Sequence, residues 1–492
     1  MKTTKQEHIR RTEWRASDIL LHLHGLTEEI PITVGQVCEG VMVMGASGSG
    51  KTTGPVHDIQ LAEMKADFGM LNLSVKLDEA ARARRLANKA GRGKDVMVMK
   101  MGGPTKMNFL DILREGGPDD VVSAFKQISQ ALMGQIEENE WTQMSQQHLS
   151  NLVKLFILSG KRLEVSELRL AAIDLKTQKM LLDEAATRIS MDTPDAHTLK
   201  MVSSYFSKEW RMMKDETKAS VLMSLTPTLN PFCDGPMREL FCTDTTFHPK
   251  MLREGKILIM DIPCVGEQCV YGIAANVIMK YIVQRMIVSD YKEGRITNER
   301  RIRPVVIIAD ECHYLVTVTD SEFITTSRSM RCSMFYATQQ INNFYRRSGR
   351  TVEAETNILL SEMHGVRVMC QNGDEKTYKW FMSLLGEEWR ERTSLSANFS
   401  GPTGAGSAGA SMQMHKENQL SQRDLSIGLA RGGPAYDFVV TGILQQSGHT
   451  YAGGKMFSQV AFPQQFDFLR KKGASCVLLH RLFGKRVKQK NN

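Results

Sequence analysis

The sequence predicts an α/β protein built on a mainly parallel sheet, with an all-α domain inserted into it. Three observations carry this prediction: short apolar runs alternate with helix-compatible segments, one run leads into a glycine-rich loop, and another ends in two acidic residues. Such alternation is typical of a parallel sheet covered by helices on both faces. The loop and the acidic run are far apart in the sequence, which predicts an insertion between them.

The glycine-rich loop is the clearest motif of the chain. It reads GASGSGKTT and completes the phosphate-binding pattern GxxxxGK followed by Ser or Thr. Small residues let successive backbone N–H groups surround the phosphates, Lys51 reaches the terminal phosphates, and the Thr52 hydroxyl can bind Mg²⁺. The loop follows the apolar run Val41–Met44 and precedes a helix-compatible stretch, which is the order that such a site requires. The predicted nucleotide-binding residues are Gly45, Ala46, Ser47, Gly48, Ser49, Gly50, Lys51, Thr52 and Thr53.

An acidic run far downstream complements the loop. Residues 305–311 read VVIIADE, an apolar stretch with β-branched residues that ends in two carboxylates. This pattern is typical of a buried parallel strand that carries acids at its C-terminal edge. Asp310 is suited to hold Mg²⁺, and Glu311 is suited to orient or deprotonate the attacking water. Together the two motifs predict hydrolysis of ATP, with Mg²⁺ as the metal cofactor.

Length and composition limit the remaining possibilities. The 492 residues exceed the usual size of one hydrophobic core, so two or three domains are expected. A net charge of +9 favours an acidic partner, either nucleic acid or a membrane surface. The nine cysteines form no CxxC pair and follow no secretory signal, which indicates reduced thiols in a cytoplasmic protein and makes a zinc site unexpected. We expect no direct membrane insertion, because the apolar stretch near the start is far shorter than the roughly 20 residues that span a bilayer.

The helical insertion is predicted from its periodicity. Leu149, Leu152, Val153 and Phe156 recur with the spacing of one helical face, within a region of similar character from about 121 to 235. We interpret this region as an all-α domain; the alternative is a set of helices packed directly on the sheet. The predicted organisation is an N-terminal segment (1–36), a nucleotide-binding domain in two parts (37–120 and 236–470), the all-α domain (121–235) and a basic C-terminal tail (471–492).

Besides the run before the loop, seven core strands are predicted from apolar runs. They are Met70–Ser74, Val96–Met99, Ile257–Asp261, Val305–Ala309, Met334–Thr338, Val366–Cys370 and Phe438–Ile443. The stretch 400–412 is dense in Gly, Ala and Ser and lacks the lysine of a phosphate loop, so it is predicted to be a flexible loop. The tail carries several basic residues and no acid. It either contacts phosphate or the acidic face of a partner, or is merely a solvated basic end.

Several segments, in the right order, resemble one known family. They are KTTGPV after the loop, FGMLNLSVKLDEA, MNFLDIL at 107–113, the helical segment from Trp141, VVIIADECHYL, and FYATQQINNFY at 335–345. Together they resemble the TraG/TraD type IV coupling proteins, which belong to the FtsK/HerA superfamily of DNA-pumping ATPases. The resemblance covers roughly residues 40 to 470, and only the phosphate loop and the acidic strand are sharp motifs within it.

The resemblance implies a RecA-like motor domain with an inserted all-α domain, working as a homo-hexameric ring. Such a ring feeds DNA or a relaxase–DNA substrate into a secretion channel, so its partners are DNA and a relaxase or channel components. By position, Gln339 would sense the γ-phosphate. Arg328 would reach the nucleotide site of a neighbouring subunit, although Arg331 lies close by and either arginine could be a solvated surface charge.

The sequence departs from the family pattern in two places. Family members commonly begin with membrane-spanning helices, whereas this chain reaches its phosphate loop at Gly45 and shows none before it. Anchoring at the inner membrane would therefore come from a partner, or the chain is a soluble branch with another task. The second strand reads LNLSVKLDEA where the family usually has an Asp-Pro-Lys-Gly turn, which leaves the roles of Lys76 and Asp78 open.

Two basic clusters are the candidate DNA contacts. The candidates are Arg82, Arg85 and Lys89, which share one helical face, and Arg346 and Arg347, which lie in a window without acids. Both clusters could instead be solvated faces, and as backbone contacts they would not depend on DNA sequence. The leading hypothesis is an ATP-driven DNA translocase or substrate-coupling motor of conjugative transfer or type IV secretion. The alternatives are a nucleotide-gated docking adaptor that recruits a relaxase or effector, and a HerA/FtsK-like motor of DNA processing or defence.

Overall fold

A computed structural model describes residues 10–26, 28–133, 140–190, 192–266, 269–293, 299–345, 350–399 and 406–464. The strands of these residues are β1 Ile19–Gly25, β2 Glu29–Thr33, β3 Val41–Met44, β4 Gly69–Leu73, β5 Val96–Lys100, β6 Ile257–Asp261, β7 Val305–Asp310, β8 Cys332–Thr338, β9 Val366–Met369, β10 Glu387–Phe399, β11 Gly406–Asn418, β12 Val439–Gln445 and β13 Ser458–Pro463. The helices are α1 Val34–Cys38, α2 His57–Lys65, α3 Glu79–Lys89, α4 Phe109–Arg114, α5 Pro118–Met133, α6 Glu140–Ser159, α7 Val165–Ile173, α8 Leu175–Arg188, α9 Pro194–Ser204, α10 Asp215–Leu229, α11 Gly235–Phe241, α12 Cys269–Lys292, α13 Val318–Ser327, α14 Asn342–Tyr345, α15 Arg350–Glu362, α16 Glu375–Leu385 and α17 Gln422–Ser426.

One eleven-stranded sheet forms the centre of the described structure. Its strand order is β2-β1-β13-β12-β9-β3-β8-β7-β4-β6-β5. The strands from β9 to β5 pair in parallel, whereas β12, β13, β1 and β2 pair antiparallel. β3, β8 and β7 are neighbours and run parallel. Their C-terminal ends therefore lie side by side at one edge of the sheet, the edge formed by strand ends. That edge receives both the glycine-rich loop and the two acids.

The central strands are apolar because both of their faces are covered. β3, β4, β7 and β8 are buried along their whole length. Their side chains alternate between two hydrophobic clusters, one on each face of the sheet; for example, Met70 and Leu71 enter different clusters. Parallel strands buried in this way read as continuous apolar runs, which is why the sequence identifies them.

The seven predicted strands of the core are confirmed, with small differences at their ends. β6 has its predicted bounds, β8 begins two residues before the prediction at Cys332, and β12 begins one residue after it at Val439. The sequence did not identify β1, β2 and β13, which form the antiparallel side of the sheet together with β12. These strands carry His22, His24 and Pro31 among their apolar residues, so no continuous apolar run marks them.

The prediction of a flexible loop at 400–412 is wrong for its second half. Residues 406–412 begin β11, which pairs with β10 in a continuous antiparallel register from Glu387↔Asn418 to Phe399↔Gly406. Residues 400–405 lie outside the described residues. Small residues favour flexibility only while the backbone lacks a partner, and here the cross-strand hydrogen bonds to β10 determine the extended conformation.

The region predicted to be an all-α domain is helical. The helices α5 to α11 lie between β5 and β6 in the sequence, and a buried histidine anchors part of their packing. The His148 ring stacks on Trp210 with centroids 3.7 Å apart, and its Nδ1 lies 3.0 Å from the Tyr205 hydroxyl. One hydrophobic cluster joins these helices to one face of the sheet, with α5 packed on α12. The division of this region from the sheet as a separate domain therefore stays a prediction.

Two further sequence expectations concern membrane helices and cysteines. Within the described ranges, no helix combines the length and the apolar character needed to cross a membrane. The eight cysteines of these ranges are all free thiols, and Cys476 lies outside them. The basic tail at 471–492 also lies outside the described residues.

Candidate nucleotide-binding site

The glycine-rich loop connects β3 to a wide helical turn, Thr52–Val56, that leads into α2. Its base is fixed to the neighbouring strands, because Gly45 N–H donates to the Thr338 carbonyl at 3.2 Å and Ala46 N–H donates to the Gln371 carbonyl at 2.9 Å. Gly50 has φ of 81° and lies against the backbone of Arg431, where a Cβ atom would clash with the carbonyl oxygen. Glycine is therefore required at this position by both its conformation and its surroundings.

The acids at the end of β7 face this loop. Lys51 Nζ donates to Glu311 Oε1 at 2.9 Å, and the Thr52 hydroxyl donates to Asp310 Oδ2 at 2.6 Å. Glu311 adopts a left-handed conformation, with φ of 63° and ψ of 45°, directly after the strand. Such a conformation is uncommon for a residue with a side chain and is often found at functional sites. The loop and the acidic strand predicted from the sequence therefore form one site.

Two further side chains meet Glu311. Gln339, directly after β8, donates from Nε2 to Glu311 Oε1 at 3.1 Å. Lys76, in the turn after β4, donates from Nζ to the same oxygen at 2.8 Å and lies 3.7 Å from Asp310 Oδ2. The resemblance identified Gln339, whereas Lys76 was not assigned a role. Lys76 follows β4, and β4 lies next to β7 in the sheet. Knowledge of this strand order would have placed Lys76 beside the two acids.

Neighbouring charges shift the pKa values of several side chains in this cluster. Burial alone would raise the pKa of Glu311, but Lys51 and Lys76 outweigh it and lower the pKa to about 2. Burial would likewise lower the pKa of Lys76, but Asp310 and Glu311 outweigh it and raise that pKa. Both lysines face a carboxylate that is ionised at neutral pH. Nearby, burial raises the pKa of Glu79 to about 8, with Asp310 adding to the increase.

The residues at this edge fit a Mg²⁺ ion. Asp310 Oδ1 and Glu311 Oε2 are buried and have no hydrogen-bond partner in the described structure, while Thr52 brings its hydroxyl next to Asp310. Hydroxyl and carboxylate oxygens suit Mg²⁺, which commonly binds through one or two carboxylates together with phosphates and water. Among the described residues, no group of three His, Cys, Asp or Glu side chains could hold a metal by itself. The oxygens that fit Mg²⁺ at this site are thus those of Thr52 and Asp310.

The two candidate arginines for contact with a neighbouring subunit differ in exposure. Arg328 follows α13 and is 69% exposed; its NH1 lies 3.0 Å from Glu39 Oε1. Arg331 is only 6% exposed. Arg328 lies at the edge of the sheet opposite to the loop, because it precedes β8 while Gln339 follows β8. Arg328 is therefore remote from the site of its own chain, and of the two arginines it is the accessible one.

The basic residues predicted to contact DNA are only partly described. Arg82 lies 3.1 Å from Asp78 and lines a small pocket together with Thr52 and Asp310. Arg85 is exposed and Lys89 is half-buried on the same helix α3. Arg346 and Arg347 lie outside the described residues. The structure thus places Arg82 beside the nucleotide site, and it leaves the DNA-binding role of all five residues a prediction.

The strand order and the site together define a P-loop protein of RecA-like fold. A phosphate loop follows β3, two acids end or follow β7, and a polar side chain follows the strand between them. This chain belongs to the type IV secretory system conjugative DNA transfer family, whose family model matches residues 2–425. The predicted membership of the coupling-protein family is therefore confirmed.

Solved structures of the bacterial conjugative coupling protein TrwB share this fold. Its unbound form aligns with a TM-score of 0.57 at 14% identity, over 92% of this chain and 91% of that chain. TrwB in complex with ADP and Mg²⁺ aligns with a TM-score of 0.58 at 14% identity, over 92% and 90%. TrwB in complex with a non-hydrolysable ATP analogue gives 0.55 at 14% identity, over 93% and 99%. Comparison with curated proteins gives no significant match. The predicted α/β fold is confirmed.

Proposed function

We propose that this chain is an ATP-driven motor that couples DNA, or a relaxase–DNA substrate, to a secretion channel during conjugative transfer. The observation that carries the proposal is the convergence of Lys51 and Gln339 on Glu311, next to Asp310. A carboxylate held beside a phosphate loop supports hydrolysis in addition to binding. TrwB, which shares the fold, has been solved with ADP and Mg²⁺ and with non-hydrolysable analogues of ATP and GTP.

Binding of the triphosphate uses the loop and the acids together. The backbone N–H groups of the loop surround the phosphates, and the Lys51 ammonium contacts the terminal ones. Thr52 and Asp310 would hold Mg²⁺, since their oxygens already lie 2.6 Å apart. A Mg²⁺ ion held by these residues would supply positive charge against the charge that develops during phosphoryl transfer.

Glu311 orients the water that attacks the γ-phosphate. Its Oε2 atom is buried, makes no hydrogen bond in the described structure and lies 3.8 Å from His313 Nδ1, so a water bound there would supply its missing hydrogen bond. Two lysines hold its pKa to about 2, against the effect of burial, and such a carboxylate is a weak base. A triphosphate bound beside Lys51 would bring negative charge close to Glu311 and would raise this pKa. Binding of ATP therefore makes Glu311 a better acceptor for the proton of the water.

Gln339 links the site to the rest of the molecule. Its side chain contacts Glu311, and its carbonyl oxygen accepts a hydrogen bond from Asn372 Nδ2 at 2.8 Å. The backbone N–H of Asn372 in turn donates to the Leu425 carbonyl at 3.0 Å. A movement of Gln339 on loss of the γ-phosphate would thus reach the segment after β9 and the helix α17. This chain of contacts supports a role for Gln339 as the γ-phosphate sensor.

The remaining parts of the proposal concern assembly and partners. The exposure of Arg328 supports its contact with the nucleotide site of a neighbouring subunit in a homo-hexamer. A relaxase or channel component is the proposed protein partner. The candidate DNA contacts Arg82, Arg85, Lys89, Arg346 and Arg347 would bind the phosphate backbone without regard to sequence. We place the chain in the cytoplasm, with recruitment to the inner membrane by a partner.

Measurement of ATP hydrolysis with and without DNA tests the proposal. Turnover should require Mg²⁺ and should rise when single- or double-stranded DNA is added. The Lys51→Ala variant serves as the matched control, since it should show no turnover in any condition. If a relaxase changes the rate of ATP turnover and DNA does not, the result would favour the docking adaptor. Complete absence of hydrolysis with Mg²⁺, with DNA and with the partner would contradict an ATP-driven motor.

A further inference from the structure

A second lysine contacts the carboxylate of Glu311. Lys76 Nζ lies 2.8 Å from Glu311 Oε1, and Lys51 Nζ lies 2.9 Å from the same oxygen. Lys76 also lies 3.7 Å from Asp310 Oδ2. It comes from the turn after β4, outside the phosphate loop. Two lysines therefore face two adjacent carboxylates.

Hydrogen bonds from buried side chains fix the backbone that leads to Lys76. The buried side chain of Asn276, on α12, accepts a hydrogen bond from Ser74 N–H at 3.1 Å and donates to the Ser74 carbonyl at 3.3 Å. The carboxylate of Glu79 accepts a hydrogen bond from Val75 N–H at 2.6 Å. These contacts hold the backbone directly before Lys76, so its ammonium approaches Glu311 from a set direction.

We propose that Lys76 is a positioning residue that holds Glu311 in place while Lys51 engages the nucleotide. The inference rests on the proposed function. A triphosphate beside Lys51 would compete with Glu311 Oε1 for the three N–H donors of its ammonium group, which weakens the hold of Lys51 on the carboxylate. Lys76 and Gln339 are the donors to that oxygen that do not belong to the phosphate loop. They orient the carboxylate so that Oε2 faces the water.

Lys76 and Lys51 reach the same oxygen of Glu311 from different parts of the sheet. Lys76 contacts the two acids from the β4 side of β7, whereas the phosphate loop follows β3, on the far side of β8. Its side chain is 37% exposed, compared with 6% for Lys51. Because the proposed role of Lys76 is to hold Glu311, its loss should affect the rate of hydrolysis much more than the affinity for ATP. Loss of Lys51 should affect affinity first.

The first test uses the nucleotide-free protein and measures thermal midpoints. Lys76→Met leaves the buried carboxylate of Glu311 with one cation and should lower the midpoint. Glu311→Gln removes the charge that Lys76 compensates, so the double variant should melt close to Glu311→Gln alone. Lys65→Met, at the exposed end of α2, is the control and should melt like the wild type. Additive effects of the two substitutions would overturn the proposal.

The second test compares turnover with binding of a fluorescent ATP analogue. Lys76→Met should lower kcat by about 10²-fold, as expected when a reacting group is misplaced, and change the Kd of the analogue by less than about 3-fold. Lys76→Arg should restore most of the rate, and Lys76→Met should cause no further loss in a Glu311→Gln background. Wild-type turnover in Lys76→Met, or a Kd that rises as much as kcat falls, would overturn the proposal. A wild-type chain without hydrolysis would instead contradict the proposed function, while the melting test still decides the role of Lys76.

Discussion

At the scale of single residues, Glu311 is the point where the other site residues meet. It accepts hydrogen bonds from Lys51, Lys76 and Gln339 on one carboxylate oxygen, and its backbone is left-handed. The backbone conformation carries an energetic cost of about 1–3 kcal/mol for such a residue, which the surrounding contacts must offset. The direction of the carboxylate is therefore set both by its backbone and by its donors.

Substitution of Lys51 and of Glu311 should produce two different defects. Lys51→Ala removes a charge-assisted contact with phosphate and should weaken ATP binding by at least about 10-fold. Glu311→Gln keeps the shape of the side chain but cannot accept a proton, so ATP binding should persist while kcat falls by about 10²-fold or more. Equilibrium binding and steady-state turnover of both variants provide the measurement. Near-normal turnover of Glu311→Gln would remove Glu311 from its assigned role.

Individual residues were predictable where a local motif carries them. The loop and the pair Asp310 and Glu311 stand out in the sequence because each is a short, contiguous motif. Lys76 did not stand out, because its contact with Glu311 spans 235 positions and depends on β4 lying next to β7. Arg328 and Arg331 were likewise indistinguishable until burial separated them.

At the scale of secondary-structure elements, a buried ion pair joins α12 to the start of α13. The Lys280 ammonium donates to Asp320 and to the Leu315 carbonyl, and both side chains are about fully buried. Asp320 also accepts hydrogen bonds from Gln284 and from the Tyr336 hydroxyl. Because Tyr336 belongs to β8, this cluster ties a helix of the outer layer to the strand that leads to Gln339.

Removal of Lys280 should destabilise the protein, although this lysine lies outside the nucleotide-binding site. Lys280→Met leaves the buried charge of Asp320 without its cation, which costs about 3–5 kcal/mol in comparable pairs. The thermal midpoint should fall clearly, and the double variant Lys280→Met with Asp320→Asn should recover part of the loss. Lys292→Met, at the exposed end of the same helix, is the matched control. An unchanged midpoint in Lys280→Met would show that the pair contributes little.

The elements that the sequence identified are those with local signals. The parallel core strands are continuous apolar runs, whereas β1, β2 and β13 obtain their pairing from distant parts of the chain. The composition of β11 is misleading, because its Gly, Ala and Ser residues suggest a flexible loop although the segment is a strand. Strand pairing with β10 overrides that composition, and pairing of this kind cannot be read from one segment alone.

At the scale of the whole molecule, the net charge of +9 gives a testable expectation for DNA binding. Contacts with phosphates release counterions, so affinity should fall steeply as salt rises, with a log–log slope of about −0.9 per contact for duplex DNA. Sequence preference should be weak, because phosphate contacts carry no base information. Titration of two unrelated duplexes at several salt concentrations measures both effects. A flat salt dependence would contradict a motor that tracks the phosphate backbone.

Sharing of sites between subunits gives a second expectation at this scale. Arg328→Ala and Lys51→Ala should each abolish most hydrolysis, since an arginine supplied by a neighbour contributes roughly 10³ to 10⁵ in rate where it is used. Mixed assemblies of the two variants should regain part of the activity, because some interfaces combine an intact loop with an intact arginine. Mixed assemblies that form but regain nothing, or full activity in a monomer, would contradict the shared site.

The pairing of β1 with β13 has a consequence for the order in which the molecule is made. β1 and β2 join the sheet through the last described strand, Ser458–Pro463, and Gly50 of the phosphate loop lies against Arg431. A ribosome adds roughly 5–20 residues per second, starting from the N-terminus. The first hairpin and the glycine loop are therefore synthesised long before the segments that complete them. A nascent chain should not acquire ATPase activity until its final strands have emerged.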